Sequence, residues 1–169
     1  GQKPSKGVIY IDCMSNCGLY YDSDEKIIEG TAILVAKKLN DIVCNYPGKE
    51  AILIFNDISE DKIERLKLEI AKRNLKNLIV YYYNTDCNQL LKDLDINNLN
   101  KSHNTLLLYD PYNASIDWDA IEPYLNQWGE VIINHMVYDT NRNINTTTAP
   151  QLLERYRFTY QNDIDTIIS

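Results

Sequence analysis

The sequence predicts a doubly wound α/β domain of three layers, a mostly parallel sheet with helices on both faces. Three observations carry that expectation. Five short apolar runs recur along the chain with almost no polar alternation, the pattern of strands buried on both faces. Helical periodicities separate the runs. The links are short, so each strand–helix–strand step is expected to be a right-handed crossover between parallel strands.

The first run is Val8 to Asp12. A helix is expected from Glu25 to Cys44, on the spacing of Ile27, Ile28, Ala32, Leu34, Val35 and Leu39. The second strand is Ala51 to Asn56. Its helix runs from Ser59 to Asn74, with Ile63, Leu66 and Ile70 as the apolar stripe, Ser59 as N-cap, and Glu60 and Asp61 complementing the helix dipole. The third strand, Leu78 to Tyr83, leads into a short helical piece near Asn88 to Leu94. The fourth, Thr105 to Tyr109, leads to a helix from Trp118 to Trp128, and Val131 to Asn134 is the fifth. After Asn134 the pattern weakens. Asp139 to Pro150 reads as a loop and Gln151 to Tyr160 as a helix, so 139–169 is expected to be a loop-and-helix extension, with no convincing sixth or seventh strand in the pattern.

With 169 residues, 44% of them hydrophobic, the chain can bury one sizeable core, and a single domain over 1–169 is the expectation. No run approaches the roughly 18 apolar residues that span a bilayer, and no apolar signal core follows the first lysines, which predicts a soluble, cytoplasmic protein without a membrane partner. The net charge of −7 gives no general attraction for a polyanion, so a nucleic-acid substrate would need a local basic patch. The positives Lys62, Arg65, Lys67, Lys72 and Arg73 are interleaved with acids and read as a solvated helix face. Cys13, Cys17, Cys44 and Cys87 have neither disulfide-framework nor zinc spacing, and no metal site is expected. His103 and His135 have no serine, cysteine or acid at triad spacing, which favours structural roles.

In open α/β sheets ligands sit beyond the carboxyl ends of the strands, where helix N-termini present free N–H groups. Four consecutive strands here end in carboxylates. Asp12 leads, through Ser15, Asn16 and Cys17, to Gly18. Asp57 lies in Asn56-Asp57-Ile58-Ser59, Asp86 in Thr85-Asp86-Cys87, and Asp110 in Asp110-Pro111-Tyr112-Asn113. A strand-end aspartate also caps turns and helices, and each has that plainer reading.

From Val8 to Asn134 these motifs resemble the Rossmann-like S-adenosylmethionine-dependent methyltransferases, and within them the three-Cys-motif partner (TcmP) family. Tyr10-Ile11-Asp12, Gly30-Thr31-Ala32-Ile33, Tyr109-Asp110-Pro111-Tyr112-Asn113 with Trp118 after it, and Ile132-Ile133-Asn134 carry the likeness. The resemblance implies that Asp12 and the Ser15, Asn16, Cys17, Gly18 loop wrap the methionine part of the cofactor. Asp57 would take the ribose hydroxyls and Asp86 the adenine end. Asp110, Pro111 and Tyr112 would present an amine or base nitrogen of nucleic acid or protein to the methyl group. The family's first loop reads Ala-Gly-x-Gly, and this chain has Ser15-Asn16-Cys17-Gly18. Glycine there permits positive φ; asparagine tolerates the left-handed region better than most residues, so Asn16 is expected to keep the turn. The alternative is a methyltransferase scaffold without catalysis that serves a protein partner.

Two other chemistries fit less well. Cys13-x3-Cys17 matches the first half of the motif of radical enzymes using the same cofactor, but Tyr20 stands where their third cysteine would be. A nucleotide-dependent oxidoreductase would want Gly-x-Gly-x-x-Gly after the first strand, and that is missing.

Overall fold

The computed structural model describes residues 4–99, 101–111, 116–125 and 128–134. Its elements are β1 (Gly7–Asp12), β2 (Leu19–Tyr21), β3 (Ile27–Glu29), α1 (Thr31–Cys44), β4 (Glu50–Asn56) and α2 (Glu60–Lys72). They continue as β5 (Leu78–Tyr83), α3 (Cys87–Asp93), α4 (Ile96–Leu99), β6 (His103–Tyr109), α5 (Trp118–Leu125) and β7 (Gly129–Ile133). Five strands form one sheet in the order β5-β4-β1-β6-β7, and every neighbouring pair is parallel. The expected doubly wound α/β architecture is therefore present. Winding proceeds outward from β1 to β5, then returns to the other side of β1 for β6 and β7, so it reverses between β1 and β6.

Alternation along the strands divides the core in two. On one face Tyr10, Leu53 and Phe55 pack under α1 and α2, against Ala32, Ile33, Ala36, Ile63, Leu66 and Ile70. On the other, Ile9, Ile11, Ile54, Leu107 and Tyr109 pack under α3, α4 and α5, against Leu90, Leu91, Ile96, Ala120, Ile121 and Tyr124. Burial on both faces, expected of all five runs, holds at the centre and fails at the edges. The outermost strands β5 and β7 alternate between half-buried and exposed residues, because no helix among the described residues roofs their second face.

Three helix expectations need correction. The helix expected from Glu25 starts at Thr31, because Leu19–Tyr21 and Ile27–Glu29 pair antiparallel as a hairpin before it. The Asp22 carboxylate ties the hairpin turn by accepting the Asp24 and Lys26 N–H groups, and Glu25 takes a left-handed φ of 58°. β-branched Ile27 and Ile28 opposite Tyr20 and Tyr21 suit a pleated ladder better than a helical turn. The helix expected from Trp118 to Trp128 ends at Leu125, so the two tryptophans do not share it, and Trp128 is exposed. Pro123 within α5 lacks the N–H of an i→i−4 bond. The short helical piece is α3, and α4 follows it unanticipated.

Three of the five positives pair with acids, Lys67 with Glu64, Lys72 with Glu69, and Arg73, the C-cap of α2, with Glu29 and Glu69, which fits the expected solvated helix face. The expected extension 139–169 lies outside the described residues, as do Tyr112, Asn113 and His135.

Candidate functional site at the carboxyl ends of the strands

The loops after β1, β4 and β5 are laced together by their own polar groups. Asn56, the last residue of β4 and almost wholly buried, is at the centre. Its amide nitrogen donates to the carbonyls of Cys13 and Thr85, both at 3.0 Å, and its amide oxygen accepts the Thr85 N–H at 3.2 Å. Ser15 donates twice to the Asn56 carbonyl, from its N–H at 2.8 Å and its hydroxyl at 3.1 Å. Asn84 donates its amide to the carbonyls of Asp57 and Ile58, each at 2.9 Å.

Asp57 is only 1% exposed. One carboxylate oxygen accepts the Asn16 N–H at 3.1 Å and the other the Ser59 N–H at 2.9 Å, so the side chain holds the first loop and begins α2 at once. The expected turn is present in that loop. Asn16 adopts φ 58°, the left-handed region, and its side chain accepts the following Cys17 N–H at 2.9 Å. Gly18 has φ 81°, and a Cβ there would lie 2.7 Å from Leu66 Cδ1 and 2.9 Å from Ile33 Cδ1. Glycine at 18 therefore admits two helices to the loop. Gly18→Ala is expected to destabilise the protein by about 2 kcal/mol, from left-handed strain and displacement of two core side chains, read as a lower urea midpoint.

Asp12 ends β1 at 2% exposure. The Tyr10 hydroxyl donates to one of its oxygens at 3.2 Å and the Met14 N–H to the other at 3.3 Å. Burial pushes its carboxyl up to about 7; the charges of Asp110 and Asp57 add to the rise, and the two hydrogen bonds oppose it. Burial and the Asp12 charge likewise push the Tyr10 phenol well above its usual range. Asp110, just past β6, accepts the Asn134 side-chain amide at 3.0 Å, and the Asn134 N–H donates to the Tyr109 carbonyl at 3.0 Å. Pro111 is buried.

The structure thus brings Asp57 and Asp110 near enough for their charges to act on Asp12 over the winding reversal, and the first loop joins them through Ser15 on the Asn56 carbonyl and the Asn16 N–H on Asp57. Asp86 stands apart: it is exposed and caps α3, its carboxylate accepting the Gln89 N–H at 3.0 Å. Asp86-x-x-Gln89 carries that capping pattern in the sequence.

Cys13 and Cys87 are buried side by side as thiols, and their contact together with burial raises the Cys13 thiol well above its ordinary range. Thiolate chemistry is disfavoured there. Among the described residues no group of three or more His, Cys, Asp or Glu is placed to hold a metal ion, and no helix is long and apolar enough to cross a membrane. His103 lies at the opposite end of the sheet, its Nδ1 2.8 Å from the Ser102 hydroxyl and its Nε2 3.4 Å from Glu50. That placement is structural.

Tyr10 and Asn56 stand in the strand-end motifs quoted above, but the sequence assigned no role to them or to Asn84; an amide at a strand end, able to donate and accept together, was the available signal. Fold and strand ends define a doubly wound parallel α/β domain with acids gathered at its topological switch point, where such sheets take their ligands. No family model matches the chain, and no curated protein does.

Proposed function

We propose that the chain is an S-adenosylmethionine-dependent methyltransferase-like protein acting on an amine or base nitrogen of nucleic acid or protein. The observation that carries this reading is the convergence of Asp12, Asp57 and Asp110 on the switch point, beside a first loop whose turn Asn16 preserves. When bound, the cofactor supplies a methyl group on a positively charged sulfur. The three acids favour a cation at that place, and the left-handed turn directs the loop around it. Asp110, held by Asn134, would accept a hydrogen bond from the acceptor nitrogen and aim its lone pair.

A second reading has its own observation. Both oxygens of buried Asp57 already hold backbone N–H groups, so a ribose reaches the carboxylate only if the Ser15 to Gly18 loop moves aside. A scaffold locked in this way serves a protein partner without turning over.

Calorimetric titration with S-adenosylhomocysteine separates the two. Binding in the micromolar range is expected, lost in Asp57→Ala while its circular dichroism is retained. Absence of heat at millimolar ligand removes the first reading and leaves the second.

A further inference from the structure

We propose that the helix expected at Gln151 to Tyr160 docks on the face of β6 and β7 that α1 and α2 leave open, and so completes that layer of the fold. On that face Leu106 and Leu108 border the cluster under α1 and α2 and are only half-buried, and Ile132 is 50% exposed. A cleft of about 690 Å³ opens there between Val8, Asn104, Leu106, Trp128 and Glu130. The other face of the same strands is covered, Leu107, Tyr109, Val131 and Ile133 packing with Ala120, Ile121 and Tyr124 of α5. Among the described residues, then, β6 and β7 carry a helix on one face only.

Handedness and length point to the chain that follows β7. The steps from β1 to β4 and β5 run toward one edge of the sheet with α1 and α2 on this face. The steps to β6 and β7 run toward the other edge with α3, α4 and α5 on the opposite face. By the same right-handed rule, a segment that leaves β7 and turns back toward β1 lies on the face of α1 and α2. Ten helical residues measure about 15 Å, close to the roughly 17 Å of a five-residue strand such as β7. Residues 135–150 are ample chain to bring them over it. The other open apolar face of the sheet, that of Ile79, Tyr81 and Tyr83 on β5, lies across four strand spacings, roughly 19 Å, and on the opposite side.

The segment's own pattern supplies the matching surface. Around a helix, Leu152, Leu153, Tyr156 and Tyr160 fall within an arc of about 100°, with Gln151, Glu154 and Phe158 on the far side. Arg155 and Arg157 border that stripe on its two flanks, so a guanidinium is at hand for exposed Glu130 at the rim of the cleft.

Thiol labelling of the full chain, resolved by peptide mass spectrometry, tests the contact. A maleimide is expected to modify Ile132→Cys slowly, and adding Tyr156→Asp, which puts a charge into the stripe, is expected to raise that rate about tenfold. The same addition should leave labelling of Tyr81→Cys, half exposed on the opposite face, unchanged. Phe158→Asp, on the far side of the helix, should leave the rate at position 132 unchanged. Tyr156→Asp alone is expected to lower the thermal midpoint by about 4 °C. A rate at position 132 indifferent to Tyr156→Asp, an equal rise at position 81, an equal effect of Phe158→Asp, or an unmoved midpoint would each overturn the proposal.

Discussion

Replacing Asn56 with leucine is expected to lower the unfolding free energy by about 3 kcal/mol, a large effect for one substitution that keeps the number and branching of side-chain heavy atoms. The loss comes from hydrogen bonding. Leucine leaves the carbonyls of Cys13 and Thr85 and the Thr85 N–H without the amide that joins them, in a place where Asn56 itself is buried. Each stranded group costs about 1–3 kcal/mol when water cannot reach it, and less around half-buried Thr85. Urea unfolding with an unchanged slope and a lowered midpoint is the expected readout; a loss under about 1 kcal/mol would mean that the loops are held by their backbones and that the amide adds little.

Asp12→Asn is expected to have the opposite sign above neutral pH. Burial and the neighbouring Asp110 and Asp57 charges raise the folded-state carboxyl from 3.8 to about 7. Between those values the folded protein keeps a proton that the unfolded chain has released, so stability falls as pH rises through the window and levels off above it. Asparagine removes this liability and keeps both contacts, its oxygen accepting the Met14 N–H and its amide donating to the Tyr10 hydroxyl oxygen. The variant and wild type should unfold alike near pH 4 and diverge toward pH 8, with the variant more stable by a few kcal/mol, on the order of 1.4 kcal/mol for each unit of raised pKa. Parallel curves across that range would show that Asp12 titrates as an ordinary carboxyl.

How much of this was legible in the sequence depends on how local each signal is. The five sheet strands are continuous apolar runs, and their burial pattern is written in consecutive residues. The hairpin β2–β3 was not legible, because Ile27 and Ile28 also fit the stripe of the following helix, and strands of three residues leave no alternation to count. Asp12, Asp57 and Asp110 were visible as strand-end acids. What each holds was not, since the Asn16 N–H reaches Asp57 across 41 positions of chain. Asp86 looked the same in sequence and has a different place: its partner is three residues away, and it caps a helix.

The order of the sheet also sets the order in which the site is assembled. β1 meets β4 after an intervening chain of about 40 residues, whereas it meets β6 only after nearly 100, so the second pairing closes much the larger loop. Asn56, Ser15 and Asp57 belong to the part built early, from contiguous strand–helix–strand steps. Asp110 reaches Asp12 only with the last long-range pairing. The winding reversal is therefore also a seam between short and long loops: two of the three acids, Asp12 and Asp57, are joined across the shorter closure, and the third, Asp110, across the longer one.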